Sequence, residues 1–173
     1  MERTSVDDVA RWDHPMPDTP GYRPLSDAIG ATDVALNHYD LAPGEGLSGG
    51  LHTHMDQEEL FYVLDGTVAF QVAGRVVDRE NAPPTVEGAS EAETTLGPGE
   101  AVRFAPGEVQ HGYNAGDDRA RVLALGAPAD SEDIRSPGTC PACGETVPLD
   151  VSVFEDGSGQ TLGCPACGET TEV

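Results

Sequence analysis

Three histidines and two carboxylates have the types and spacing of a metal site. His52 and His54 are separated by one residue, so on a β-strand both imidazoles point to the same side. Glu58 and Glu59 follow within a few residues, and His111 comes much later in the chain. Imidazole and carboxylate groups bind divalent Fe, Mn, Ni, Co, Cu and Zn. The pattern predicts a divalent-metal site on a β-scaffold; the alternative is a polar pocket lined by histidines that hold no metal.

The cysteines form a second group, close to the end of the chain. They stand in two copies of Cys-Pro-Ala-Cys-Gly-Glu-Thr and are Cys140, Cys143, Cys164 and Cys167. Four thiolates in two Cys-x-x-Cys turns match the tetrahedral coordination of Zn²⁺, which predicts a structural zinc site. The alternatives are two disulfides, which a reducing cytoplasm disfavours, and a thioredoxin-like redox pair, which needs a βαβ unit that the sequence lacks.

The segment that carries these cysteines, residues 139–173, resembles a zinc ribbon. Between the two pairs, Val147 to Phe154 and a turn at Asp156-Gly157 predict a hairpin. No lysine or arginine follows Arg135, so phosphate repulsion disfavours binding of nucleic acid. Two roles remain open for this tail module: a metal staple for a segment too small for its own core, and a docking surface for a protein partner.

Short strands are the elements that must position the histidines. Between residues 33 and 127 the sequence has no amphipathic helix of useful length, and Gly or Pro turns separate short apolar segments. The predicted strands are Glu59–Leu64, Thr67–Val72, Ala101–Phe104 and Arg121–Leu125. This spacing predicts an all-β barrel or sandwich.

The domain organisation follows from composition. We predict an extended N-terminal arm over residues 1–31, with one short helix near Val6–Arg11, a barrel over 32–128, a linker over 129–138 and the tail module over 139–173. The arm contains Pro15, Pro17, Pro20 and Pro24. Residues 78–97 are poor in large apolar side chains and predict a solvated loop between two strands.

The barrel segment resembles the cupin family in its first motif. Gly46, His52-x-His54, Glu59 and Gly66 stand at the family's spacing along the whole motif. The spacing to Gly66 chooses Glu59 over Glu58, which is out of register. In the predicted strand, Glu59 shares a face with Phe61 and Val63 and points into the barrel.

The second cupin motif is matched less closely. Pro106 stands five residues before His111, as the family pattern requires. Glu108 stands where the pattern has a glycine, Gly99 is one residue too far from Pro106, and Asn114 is one residue too close to His111. These departures are interpreted as altered turns, and His111 remains the predicted histidine of the motif.

The resemblance implies a jelly-roll-type cupin β-barrel, frequently dimeric, that binds one divalent metal. The implied metal ligands are His52, His54, Glu59 and His111. Four protein ligands on an octahedral ion leave two positions for water, dioxygen or a bidentate substrate. The aromatic residues that are candidates for the substrate-binding wall are Tyr39, Phe61, Phe70, Phe104 and Tyr113. His38 is assigned to the surface or to the surroundings of the site, and His14 has no motif around it.

Charge restricts the partners and the surroundings. The chain has 31 acidic and 9 basic residues, a formal net charge of −22, and its basic residues are all arginines. Self-repulsion of this size is screened at molar salt, which predicts a halophilic protein; an acidic mesophilic protein is the alternative. Nucleic acid is not an expected partner. Neither a secretory signal nor a long apolar segment is present, so we expect a cytoplasmic protein that does not bind membranes.

Two functions fit these observations. The first is a metalloenzyme that acts on a small oxygenated molecule by dioxygenation, isomerisation or decarboxylation, with Glu58 and Glu108 as candidate acids or bases. The second is a non-catalytic binding or sensing module whose barrel holds a ligand and whose tail docks a partner. The complete predicted ligand set favours the enzyme, and the appended tail favours the module.

Overall fold

Short segments with alternating apolar residues form nearly all of the regular structure. The computed structural model describes residues 1–13, 20–88, 92–154 and 158–173. Its helical elements are a 3₁₀ turn at Val6–Asp8 and one short α-helix, α1 (Leu25–Ile29). The strands are β1 (Tyr22–Pro24), β2 (Ala35–Leu41), β3 (Thr53–His54), β4 (Glu58–Asp65), β5 (Val68–Arg79), β6 (Ala82–Glu87), β7 (Ala92–Leu96), β8 (Ala101–Phe104), β9 (Glu108–Asn114), β10 (Ala120–Ala127), β11 (Ile134–Thr139), β12 (Thr146–Val153), β13 (Gln160–Gly163) and β14 (Thr170–Glu172). Over the described ranges, no helix is long and apolar enough to span a membrane.

Two antiparallel sheets pack their inner faces around the barrel core. The first has the order β1-β2-β10-β4-β8, and the second has the order β6-β5-β7, with β9 paired to β5. The three phenylalanines at the centre, Phe61, Phe70 and Phe104, have ring centroids 5.0 to 6.1 Å apart. The buried core residues are Leu41, Leu47, Phe61, Val63, Val68, Phe70, Leu96, Phe104, Ala120 and Val122. The all-β prediction is confirmed.

The turn after β4 shows how local sequence closes the barrel. Gly66 follows the strand with φ = +82°, a conformation that side chains other than glycine's rarely adopt. A Cβ at this position would lie 2.7 Å from Cα of Ala120, the first residue of β10. The turn therefore requires glycine for conformation and for space, and it directs the chain from β4 into β5.

The predicted loop over residues 78–97 is wrong for most of its length. β5 continues to Arg79, and both β6 and β7 pair antiparallel with β5. These strands are held by backbone hydrogen bonds, and their side chains are mostly not buried. β7, for example, is exposed at every residue except Leu96, so its sequence has no apolar pattern. A sequence pattern that depends on burial does not detect strands of this kind. Residues 89–91 of the predicted loop lie outside the described residues.

The N-terminal segment lies against the first sheet. The predicted helix is reduced to the 3₁₀ turn at Val6–Asp8, and β1 pairs with β2. Trp12 pairs with Tyr22 in an isolated bridge, and their ring centroids lie 5.1 Å apart. Pro15, Pro17 and His14 lie outside the described residues.

The third sheet joins the tail to the barrel. Its order is β14-β13-β12-β11-β3, so β3, which contains His54, is hydrogen-bonded to the first strand of the tail sheet. β11 occupies much of the predicted linker. β12 and β13 form the predicted antiparallel pair, while the predicted turn at Asp156-Gly157 lies outside the described residues.

Candidate metal centres

His52 and His54 point to the same side, as the short strand β3 requires. Their ring centroids lie 5.3 Å apart with the rings nearly perpendicular, and buried Thr53 between them points the other way. His52 forms a bridge with Gln110 of β9, with backbone hydrogen bonds of 3.1 and 2.9 Å in the two directions. The His52 Nδ1–H donates to the carbonyl oxygen of Gly50 over 2.9 Å, so Nε2 carries the lone pair that can accept a hydrogen bond or bind a metal.

Glu59 supplies the carboxylate of this group. It lies on the inward face of β4, and its Oε1 is 3.6 Å from Nε2 of His54. Glu58, one residue earlier, faces outward and forms an ion pair with Arg103 of β8. One ligand atom each from His52, His54 and Glu59 lies within 4.8 Å of the others.

Gln110 is the fourth polar side chain of this group. It is 2% exposed, and its Nε2 donates to Oε2 of Glu59 over 2.9 Å and lies 3.4 Å from Nε2 of His52. Its Oε1 is buried and has no hydrogen-bond partner. A buried carbonyl oxygen without a partner is costly unless a cation or a donor occupies the adjacent space.

The structure does not bring His111 to this group. His111 lies on the opposite face of β9 from Gln110, with its ring stacked against Tyr113 at a centroid distance of 6.2 Å. Its Nδ1 is 3.3 Å from the hydroxyl of Ser48, which is also 3.3 Å from Nδ1 of His52. A Cβ on Gly46 would lie 2.8 Å from Cε1 of His111, so this glycine makes room for the ring. His111 therefore packs behind His52, and Gln110 occupies the place predicted for it.

The three departures from the second cupin motif already indicate, in the sequence, that Gln110 and not His111 stands at the histidine position. Each is a departure of one residue, and moving the register back by one brings Gly99, Gly107 and Asn114 to the family spacing together. The motif histidine then coincides with Gln110. Asn114 fits its motif position because it is 1% exposed and its amide donates to the carbonyls of Leu41 and Asp118. The proline and the histidine of the motif do not match, because Ala105 and Gln110 stand at their positions.

Burial changes the pKa values of the side chains in and beside this group. Desolvation lowers the pKa of His54 below its usual value, and His52 lowers it further, while Glu59 and Asp56 act in the opposite direction. The His54 imidazole therefore stays neutral into mildly acidic solution, the form that binds a metal. Burial also raises the pKa of Tyr39, so its phenol remains a neutral hydrogen-bond donor.

A cavity of about 360 Å³ opens beside the group. We call it the inner cavity; the ligand candidates His52, His54, Glu59 and Gln110 line it, with Tyr39 and Phe61. Of the other aromatic wall candidates, Phe70 and Phe104 lie in the core and Tyr113 donates to Glu93 on the outside; none is in the described lining.

Gln57 and Asp130 are among the polar residues of this lining that had not been singled out from the sequence. The Gln57 amide donates to the carbonyl of Pro128 over 2.6 Å, and Asp130 presents an exposed carboxylate at the rim. Gln57 precedes β4 and Asp130 follows β10, and no motif marks either residue. Glu108, a predicted acid or base, instead accepts a hydrogen bond from the Ala105 N–H.

The donor set fits a divalent metal. Two imidazoles, a carboxylate and an amide carbonyl combine nitrogen and oxygen ligands that suit divalent Fe, Mn, Co, Ni and Zn. The Gln110 amide faces Glu59 and His52 through Nε2, and a turn of the amide by 180° brings its unpartnered Oε1 to this side, where it can bind a cation. The set therefore fits the metal that the fold implies, with Gln110 instead of a third histidine.

The four cysteines form a separate group at the turns of the tail. Their sulfurs lie within 4.8 Å of one another; Cys140 to Cys167 and Cys143 to Cys164 are each 3.8 Å. Sulfurs about 2.3 Å from a central zinc in a tetrahedron are about 3.8 Å apart. Hydrogen bonds from the backbone of Cys143 and Ala142 lower the pKa of Cys140 to about 7, which favours the thiolate. The cysteines are free thiols.

Comparison with known proteins identifies the fold. No protein-family model matches the sequence, and no curated protein matches it. Among solved structures, the polyketide cyclase RemF from Streptomyces resistomycificus is similar over 91% of this chain and 90% of that chain, with a TM-score of 0.57 and 21% identity. A sugar phosphate isomerase from a cupin superfamily of Silicibacter pomeroyi covers 99% and 91%, with a TM-score of 0.54 and 18% identity. The fold is that of the cupins.

A third similar structure extends the cupin likeness to an enzyme with a small-acid ligand. An oxalate oxidase in complex with glycolate covers 76% of this chain and 64% of that chain, with a TM-score of 0.53 and 16% identity. At these identities the likeness describes the barrel, and the chemistry has to be argued from the side chains of this chain.

Proposed function

We propose that this chain is a metal-dependent cupin enzyme that acts on a small oxygenated molecule by dioxygenation, isomerisation or decarboxylation. The observation that supports it is the position of His52, His54 and Glu59, whose ligand atoms lie within 4.8 Å at the edge of the inner cavity. A structural metal site is closed by protein ligands, whereas this group lies beside space for a further molecule.

The residues of the chain have distinct roles in this proposal. His52, His54, Glu59 and Gln110 would hold the metal, which when bound supplies a Lewis acid that polarises an oxygen of the substrate. The hydrogen bond from Gln110 fixes the Glu59 carboxylate. The phenol of Tyr39 lines the same cavity and stays protonated, so it can donate to a substrate oxygen.

The proton-transfer group in this proposal is Asp130. Glu58 is paired with Arg103 and Glu108 with a backbone N–H, so both are engaged elsewhere. Asp130 lies at the rim of the inner cavity and is exposed, so its carboxylate is accessible to water. Replacement by asparagine keeps its size and removes the carboxylate.

A non-catalytic binding module is the second candidate. Its support is the position of the tail, which contacts the strand that carries His54 and gives the site an additional wall. Asp130→Asn separates the two candidates: turnover falls at unchanged substrate affinity for an enzyme, whereas a binding module shows no turnover in either protein.

Elemental analysis of protein purified in high salt without added metal tests the metal assignment. We expect one zinc in the four-cysteine group of the tail and one Fe, Mn, Ni or Co in the barrel, and the barrel metal is expected to be absent from His52→Ala. Oxygen uptake and conversion of small hydroxy and keto acids are then measured with that metal. Unchanged metal stoichiometry in His52→Ala would remove the basis of the proposal.

The proposal also covers the cellular location of the protein and its partners. The charge of −22 and the absence of lysine support a salt-adapted cytoplasmic protein that does not bind nucleic acid or membranes. The proposal also includes a homodimer and a protein partner for the tail, which sedimentation analysis in molar KCl tests directly.

A further inference from the structure

The tail lies along the entrance to the metal group. β11 pairs with β3 through Ile134 opposite His54 and Arg135 opposite Thr53. The hydroxyl of Ser136 donates to the carbonyl of Leu51 over 2.9 Å, which extends the contact to the loop before His52. β12, next to β11, therefore faces the barrel entrance on one side.

A second cavity of about 550 Å³, which we call the outer cavity, lies at this contact. Its apolar lining includes Trp12 and Tyr22 from the N-terminal segment, Leu51 from the loop before β3, and Val151 and Val153 from β12. Within the described residues, its lining contains no arginine, aspartate or glutamate. An uncharged wall is unusual in a chain whose net charge is −22.

The outer and inner cavities share part of their lining. The shared residues are Tyr39, Leu47, Ser48, His52, His54 and Ile134. A molecule that spans the two cavities can therefore contact the metal group and the apolar wall at once.

We propose that the wall formed by β12 and Trp12 selects the uncharged, apolar body of a substrate whose oxygen-bearing end reaches His52, His54 and Glu59. This inference rests on the proposed function and narrows its substrate class. Apart from the metal, a phosphorylated substrate has no lysine or arginine to pair with in either described lining, and it meets a negatively charged protein. A free sugar would bury hydroxyls against valine and tryptophan without hydrogen bonds.

Two hydroxamic acids test the wall. Acetohydroxamic acid and biphenyl-4-hydroxamic acid carry the same bidentate oxygen head, and they differ in the apolar body. With the Zn²⁺-loaded protein in molar KCl, calorimetry should show the biphenyl compound binding roughly ten- to a hundredfold more tightly. Trp12 is the single tryptophan, so its fluorescence should change with the biphenyl compound and remain constant with acetohydroxamic acid.

A charged analogue tests the requirement for an uncharged body. 4′-Carboxybiphenyl-4-hydroxamic acid has the same head and rings with one anionic group at the far end. We expect it to lose at least tenfold in affinity relative to the biphenyl compound, because its carboxylate meets an apolar wall. Equal affinity of the two compounds would overturn the requirement that the body of the substrate is uncharged.

Variants of β12 provide the matched comparison. Val151 and Val153 line the outer cavity, while Ser152 between them is exposed and is not in the described lining. Val151→Asp and Val153→Asp should each weaken the biphenyl compound about tenfold and leave acetohydroxamic acid unaffected; Ser152→Asp should affect neither. Val153 is 50% exposed, so its variant tests the wall even if Val151→Asp does not fold.

The outcomes distinguish this inference from the proposed function. If both hydroxamic acids bind equally, or if Ser152→Asp acts like Val153→Asp, the wall does not select the substrate. The proposed metal site is unaffected by that result. If neither compound binds and His52→Ala leaves the metal content unchanged, the proposed function itself fails.

Discussion

Nε2 of Gln110 donates a 2.9 Å hydrogen bond to Oε2 of Glu59, across the barrel from β9 to β4. The bond fixes the carboxylate and leaves the amide oxygen, Oε1, buried without a partner. A histidine at this position would supply a nitrogen ligand, whereas glutamine supplies a neutral oxygen. The oxygen-richer donor set favours metals that accept oxygen ligands, such as Mn and Fe, more than a three-histidine set does.

Gln110→Ala and His111→Ala form a matched pair that tests this assignment. Gln110→Ala should weaken binding of the barrel metal by about ten- to a hundredfold, the range found when a supporting partner of a metal ligand is removed. His111→Ala should leave it nearly unchanged, because His111 lies on the opposite face of β9. Competition with a chromophoric chelator measures both affinities. The reverse order of effects would restore His111 as the ligand.

Much of the site could be predicted because a strand has a simple period. Glu59, Phe61 and Val63 alternate inward along β4, which agrees with the choice of Glu59 over Glu58 made from the cupin-like spacing to Gly66. The second motif lies on a strand with buried residues on both faces, including Val109 and Gln110 in succession. The alternation of buried and exposed residues then does not show which residues of β9 face the metal group. A shift of the motif by one residue exchanges the two faces of the strand.

The position of the tail could not be predicted in the same way. Its cysteines are recognisable from local spacing, since each turn is encoded by a few adjacent residues. The pairing of β11 with β3 joins residues about eighty positions apart and involves only two residue pairs. Neither strand carries a pattern that specifies its partner, so the contact between tail and barrel entrance appears only in three dimensions.

Loss of the tail zinc should therefore affect the barrel metal. Hydrogen bonds hold the segment after β3 to the residues before β11: the Met55 N–H donates to the Asp133 carbonyl over 2.8 Å, and the Asp56 carboxylate accepts from the Ser131 hydroxyl. Cys164→Ser should remove the tail zinc and weaken binding of the barrel metal severalfold, because β11, the strand paired with β3, is then less rigidly held. Elemental analysis and chelator competition measure the two effects. A barrel affinity equal to wild type would show that the two centres are independent.

Stability should decline between pH 7 and 5 through a histidine outside the metal group. His38 is 5% exposed; burial lowers its pKa first, Arg23 and Arg121 lower it further, and Asp40 acts in the opposite direction. The unfolded chain then binds the proton before the folded chain does. The stability that His38 contributes is complete above pH 6.5, the ordinary value, and is lost as pH falls through the lower folded value.

His38→Gln is the variant that checks this sign. Glutamine does not titrate, so the decline in the urea midpoint from pH 7 to 5 should be shallower than in wild type at the same zinc content. His54 and His111 also have lowered pKa values, but they are present in both proteins and cancel in the comparison. A steeper decline in the variant would contradict the assignment.

The aromatic core gives a direct stability prediction. Phe70 is fully buried and its ring contacts Phe61 and Phe104, whereas Tyr62 on the outward face of β4 is 40% exposed. Phe70→Ala should cost about 3–5 kcal/mol of unfolding free energy, and Tyr62→Ala should cost much less. Urea unfolding measures both. Similar costs at the two positions would mean that Phe70 does not lie in the core.

Salt should stabilise the fold by screening. Ion pairs such as Arg119 with Asp40 and Arg121 with Asp65 use the few cations available, and the acidic excess remains unpaired. The Debye length falls from about 10 Å at 0.1 M to about 3 Å at 1 M, so repulsion between exposed carboxylates is largely removed within that range. The thermal midpoint should rise by several degrees between 0.1 and 1 M KCl and then level off. Strengthened apolar burial would instead continue to raise it at higher salt, and a midpoint independent of KCl would show that the fold tolerates its charge unaided.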